Sequence, residues 1–223
     1  MGKRRWNMGY RFNMLTKRAY EEAGLGLGPE GKHNNIPLYP KYYMDNFNDI
    51  SFEKKRDFNF VGIIRHAEGV HTKRLWILDF AKEHFTNKSY FRLNSNEDME
   101  NHEKLGDFDY TFSYEGKRFV DKYMGLGMKR CAFDKEYFSI MCSSEFTLCP
   151  VGDQPYSDRF FEAIMSKSIP ILEKQEHCGA NDEQRNIGYK FYLLGDDCVY
   201  RQDWVDYNYD LFLKTHTMYG KNK

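Results

Sequence analysis

The sequence predicts an α/β protein built on a parallel sheet flanked by helices. Three observations carry that prediction. Short apolar runs of strand type alternate with helical stretches along the chain, the pattern of crossover connections rather than of hairpins. Residues 145–172, EFTLCPVGDQPYSDRFFEAIMSKSIPIL, read as strand, loop, helix, strand, which is one complete βαβ unit. Residues 58–64 (FNFVGII) form an apolar strand, and a polar run, Arg65-His66-Ala67-Glu68-Gly69, follows it where ligands sit in open α/β sheets.

In chain order, residues 6–23 read as a helix, with Met8, Phe12, Leu15 and Ala19 at helical spacing and Gly24 as a stop. The glycines Gly24, Gly26 and Gly28 resemble a nucleotide loop, but no strand precedes them and no helix follows, so they read as linker. Residues 36–52 are aromatic-rich and irregular, suited to cover a sheet edge or a cleft. Gly62, inside the 58–64 strand, implies a close backbone approach. Residues 72–84 read as an amphipathic helix with Thr72 as N-cap and Arg74 on its first turn. Residues 89–93 and 108–113 read as strands, and 134–143 as a helix. The central unit follows: Phe146 to Cys149 as strand, Pro150 closing it, Gly152, Asp153, Gln154 and Pro155 as turn, and Ser157 as N-cap of the helix carrying Arg159 and Glu162. Residues 169–172 return as a strand, with Pro170 best placed near a strand start or an edge. Residues 189–194 (YKFYLL) read as a strand and 199–214 as a closing helix.

Composition narrows the function. Lys plus Arg equals Asp plus Glu at 33 each, which gives no basic surplus for nucleic-acid binding. The 17 Tyr and 18 Phe read mostly as packing. Five cysteines without CxxC spacing argue against zinc and against a disulfide framework. Cys142 and Cys149 fall in apolar elements and read as small buried hydrophobes. Reduced thiols fit a cytoplasmic setting. No apolar region follows the basic MGKRR start, and no apolar run reaches the length of a membrane span.

The chemistry concentrates at the start of the central helix. Unpaired amides and the positive end of the helix dipole favour phosphate there. Ser157 adds a hydroxyl and Arg159 a guanidinium. Arg159 and Glu162 share a helix face, and spacing alone reads them as an ordinary surface ion pair.

The segment CPVGDQPYSDRFFEAIMSKSIPIL resembles the signature of exostosin-family glycosyltransferases through Cys149, Pro150, Gly152, Ser157, Arg159, Glu162, Ala163, Ile169 and Pro170. Residues 137–144 (YFSIMCSS) resemble the family's preceding helix. Lys167-Ser168 departs from the pattern, since family members often carry Gly before the Ile-Pro. The resemblance implies that residues 58–215 are the Rossmann-like, donor-binding half of a GT-B glycosyltransferase. Residues 1–57 would be a truncated or rudimentary acceptor side, and 216–223 a tail. The implied reaction moves a sugar from a nucleotide-diphosphate donor, a UDP-sugar by family habit, to a glycan hydroxyl, with inversion and without metal. Donor-binding candidates are Gly62, Arg65, Arg74, Gly152, Ser157, Arg159 and Glu162, with Glu162 on the ribose hydroxyls. His66, Glu68 and Asp153 are the candidates for the base that deprotonates the acceptor. The triplet Asp107-Phe108-Asp109 has the form that holds Mn²⁺ in GT-A enzymes, but it fixes too little geometry for a metal site to be expected. No cofactor beyond the nucleotide sugar is implied. Because the residues before Phe58 are too few for a second Rossmann-like half, a partner domain or subunit is implied, and the competing reading is a non-catalytic nucleotide- or carbohydrate-binding half-domain. Exostosin relatives are usually anchored in the secretory pathway, so the Golgi lumen is the alternative location if an anchor has been removed.

Overall fold

A computed structural model of the 223-residue chain describes residues 39, 41–62, 64, 74–93, 110–112, 133–150, 158–173 and 187–217. The expected 6–23 helix, the glycine-rich linker and the Asp107-Phe108-Asp109 triplet lie outside these residues.

Six strands form one parallel sheet: β1 (Arg56–Gly62), β2 (Tyr90–Leu93), β3 (Tyr110–Phe112), β4 (Ser144–Leu148), β5 (Ile169–Leu172) and β6 (Tyr192–Leu193). Their spatial order is β3-β2-β1-β4-β5-β6. The helices are α1 (Lys41–Met44), continued by a 3₁₀ turn at Asp45–Asp49, then α2 (Trp76–His84), α3 (Lys135–Cys142), α4 (Asp158–Met165) and α5 (Gln202–His216). The expected α/β, Rossmann-like arrangement is therefore the one observed.

Strand alternation divides the core between the two faces of the sheet. Phe60, Phe91, Phe146, Leu148, Ile169 and Ile171 pack with Ile77, Leu78, Phe80 and Ala81 of α2. On the other face, Phe138 and Met141 of α3, Phe160, Phe161 and Ile164 of α4, and Phe212 of α5 form a second cluster. Tyr39, Tyr43, Met44, Phe47 and Ile50 join this second cluster, so the aromatic stretch expected to be irregular is helical and buried. Full burial of each such side chain stabilises the fold by roughly 1.5–3 kcal/mol. His216 and Thr217 are buried as well, and Thr217 bridges to Tyr39. Between the layers runs a polar spine. Asn59 donates to Phe146 O at 2.9 Å and Thr147 Oγ1 at 2.7 Å, and Thr147 and Ser168 share a hydrogen bond of 2.8 Å.

Several boundaries move for physical reasons. β1 starts at Arg56 because the ladder already pairs Arg56 with Ser144, and it ends at Gly62, short of the buried Ile64. α2 starts at Trp76, later than residue 72, after a turn in which Leu78 N–H donates to Leu75 O. Thr72 lies outside the described residues. Asp134 caps α3 by accepting from Tyr137 N–H. β6 is shorter than the YKFYLL run. The Asn208 side chain accepts from Lys190 N–H at 2.9 Å and donates to Lys190 O at 2.7 Å, which satisfies the backbone that a neighbouring strand would otherwise pair. Pro170 sits second in β5, near a strand start as expected, although β5 is an interior strand.

The residue that departs from the exostosin pattern has a clear structural setting. Lys167 adopts a left-handed φ of 55° directly after α4. Lys167 N–H donates to Ile164 O and Ser168 N–H to Ala163 O, a Schellman closure that glycine adopts without steric cost. Lys167 Nζ lies 5.0 Å from the Phe52 ring centre and 4.6 Å from that of Tyr209, contacts that offset the cost of a side chain at this φ.

Candidate active site

Sheet order reverses between β1 and β4, which leaves a crevice at their carboxyl ends where open α/β sheets take ligands. Gly62 ends β1, and Leu148, Cys149 and Pro150 lie at the end of β4. α4 begins at Asp158 on the same edge, because it follows β4. α3 runs back along the sheet into β4, so its first turn also lies at this edge.

Three side chains meet here. Arg159 lies on the first turn of α4, half-buried, with its guanidinium carbon 5.1 Å from the Phe60 ring centre. A methyl group at Gly62 would stand 2.8 Å from Arg159 Nη2 and 2.9 Å from Phe60 Cζ, so the missing side chain of Gly62 is what admits the guanidinium. The close approach expected at Gly62 is thus made by an arginine side chain rather than by backbone. Tyr137 donates its hydroxyl hydrogen to Glu162 Oε2 at 2.7 Å and accepts a hydrogen bond from Arg159.

The electrostatics fix the protonation of Tyr137 and Arg159. Burial, followed by the Glu162 charge, holds the Tyr137 hydroxyl well above its ordinary range, so it stays a donor to Glu162. Burial pulls the Arg159 guanidinium down, but Tyr137 and Glu162 outweigh it and the group stays charged. Burial raises the Cys149 thiol far above the thiolate range, so Cys149 serves packing, as its apolar strand implied. Arg159 and Glu162 are therefore joined through a tyrosine at the ligand edge, which differs from a solvated helix-surface pair.

The other sequence-derived candidates divide as follows. Arg74 is buried, 8% exposed, in the turn before α2. Arg65, His66, Glu68, Gly152, Asp153 and Ser157 lie outside the described residues. Three residues at this edge escaped the sequence reading. Tyr137 was readable only as part of the helix before the signature strand. Glu173 follows the apolar β5 directly, is 3% exposed, and acts electrostatically on Cys149. Arg92 interrupts the apolar β2; an arginine inside a strand buried on both faces was the available signal.

A parallel sheet of this order, with a guanidinium and a carboxylate at its switch point, defines a protein of the Rossmann-like α/β class. Residues 128–223 match the family model described as the RXYLT1 C-terminal domain, an exostosin-related glycosyltransferase domain. The match supports the exostosin-like assignment and makes this part of the chain similar to glycosyltransferases. It spans Tyr137, the whole signature segment and α5. No curated protein matches the chain. Among the described residues no helix is long and apolar enough to cross a membrane.

Proposed function

We propose that the protein is an exostosin-like glycosyltransferase that moves a sugar from a nucleotide-diphosphate donor, taken to be a UDP-sugar, to a glycan hydroxyl, with inversion and without metal, in the cytoplasm. The observation that carries this reading is the Arg159–Tyr137–Glu162 group at the switch point, beside the start of α4. Leaving-group diphosphate needs positive charge that is already in place as the bond breaks. Arg159, stacked on Phe60 and held by Tyr137, supplies it without reorganisation. Glu162 takes the ribose hydroxyls. Tyr137 already occupies Oε2, so the diol uses Oε1 and the remaining lone pair of Oε2. The acceptor is deprotonated by a loop side chain at the same edge, with His66, Glu68 and Asp153 as the candidates. A partner domain or subunit completes the acceptor side.

The test is calorimetric titration of UDP into wild type and Arg159→Ala, with release of UDP from UDP-sugars measured in parallel. Loss of a charge-assisted contact of about 1.5–3 kcal/mol weakens UDP by about 10–100-fold. Equal affinity in both proteins overturns the reading. UDP binding without turnover of any donor, in the presence of glycan acceptors, favours the half-domain that needs a partner.

A further inference from the structure

Arg92 is the second-last residue of β2 and pairs in register with Val61, one residue before Gly62. Its neighbours Phe91 and Leu93 join the α2 cluster, while Arg92 turns to the opposite face and reaches α3. It is deeply buried, yet it is thinly satisfied. Nη1 donates to Glu136 Oε1 at 3.0 Å, and Nε is buried with no hydrogen-bond partner. The Arg92 side chain is 9% exposed and that of Glu136 is 75% exposed. A buried charge requires close pairing, and a solvated glutamate is a weak counter-ion. A guanidinium has five N–H donors, so most of this one's capacity is uncommitted to side chains. Glu136 and Tyr137 are consecutive on the first turn of α3. The same turn therefore holds Arg92 through one residue and Arg159 through the next, at one edge of the sheet.

We propose that Arg92 is a second anion-binding side chain of the donor site, which takes a phosphate of the nucleoside diphosphate while Glu136 swings away into solvent. The proposal rests on the donor-binding reading above. In the free protein Glu136 occupies the guanidinium as a removable placeholder. When the diphosphate arrives, its oxygens replace one exposed carboxylate oxygen with a geometry that can engage two N–H groups at once.

The experiment titrates UDP and uridine into wild type, Arg92→Met, Arg92→Lys, Glu136→Gln and Arg159→Ala. Arg92→Met is expected to weaken UDP by about tenfold, the worth of one charged contact, with Arg92→Lys falling between it and wild type. Uridine, which lacks phosphate, keeps the same affinity in Arg92→Met as in wild type. Glu136→Gln alters an exposed residue and tightens UDP several-fold by removing the competing carboxylate. That variant carries the test should Arg92→Met fail to fold. Unchanged UDP affinity in the Arg92 variants or in Glu136→Gln, with Arg159→Ala still defective, overturns the role of Arg92 and leaves the donor site standing. If wild type itself does not bind UDP, the donor-binding reading falls, and this proposal falls with it.

Discussion

The two edges of the sheet both hold partly or fully buried cations, and they satisfy them differently. At the amino edge, Lys54 Nζ donates to Cys142 O at 2.9 Å and makes a longer 3.5 Å contact with Ser166 O, carbonyls at the ends of α3 and α4. Arg56 Nη1 donates to Ser143 Oγ at 2.6 Å, and the Arg56 guanidinium lies over the Tyr90 ring. These cations close helix ends, where the dipole favours positive charge. At the carboxyl edge, Arg159 and Arg92 are held by the side chains of Tyr137 and Glu136. The main-chain carbonyls that hold Lys54 cannot leave without unfolding a helix, whereas the side chains at the carboxyl edge can turn aside for a ligand. The amino edge therefore contributes stability and the carboxyl edge a replaceable set of contacts.

The largest expected break in that comparison is Arg159→Ala, which removes the guanidinium while the amino edge stays intact. Gly62→Ala comes next. Its methyl group, 2.8 Å from Arg159 Nη2, displaces the guanidinium from Phe60 without removing it. UDP affinity is expected to fall by about tenfold, about 1.4 kcal/mol, since one well-placed charged contact is lost. The thermal midpoint should fall as well, because the methyl also stands 2.9 Å from Cζ of the fully buried Phe60, which has less room to move than the end of an arginine side chain. An unchanged UDP affinity would show that the guanidinium's position over Phe60 is immaterial.

Lys54 sharpens the comparison through pH. Burial lowers its pKa from 10.5 to about 8. Below pH 8 both folded and unfolded chains carry the proton, so Lys54 gives no slope there, and the folded state bears the desolvation cost in full. Between pH 8 and 10.5 the unfolded chain binds more protons, so the unfolding free energy contributed by Lys54 rises with pH. Wild type is therefore expected to gain stability relative to Lys54→Met across that window, measured as the difference in urea midpoint. UDP affinity should be the same in both proteins. A flat difference would mean that Lys54 is solvated in the folded chain.

The smallest expected effect is that of Lys167→Gly. Relief of the left-handed φ is worth about 1–2 kcal/mol. Against it stand two cation–π contacts of about 0.5–1 kcal/mol each and the extra unfolded-state freedom of glycine. The sum is close to zero, so the urea midpoint should move very little. A gain of more than about 1 kcal/mol would show that the Phe52 and Tyr209 contacts contribute nothing.

Parallel topology and the central βαβ unit were legible in the sequence, because apolar runs buried on both faces look alike wherever they sit in a parallel sheet. The signature segment was legible for a different reason: its spacing places a helix start, an arginine and a carboxylate together within one local unit. YKFYLL misled because composition reports strand propensity, whereas pairing was pre-empted by Asn208, which is remote in sequence. The helicity of residues 41–49 was missed although Tyr39, Tyr43, Phe47 and Ile50 recur at helical spacing, because the segment is short and its burial comes from a core built by the distant α3, α4 and α5.

Local sequence alone determined that a helix start carrying Arg159 and Glu162 follows β4, since capping, turn chemistry and periodicity act over a few residues. Only the tertiary structure decided that Tyr137 lies between those two groups, that Gly62 makes room for the guanidinium, and that Arg92 comes to the same edge from another strand. These contacts join residues far apart in the chain, and strand order, which no short stretch encodes, is what brings them together.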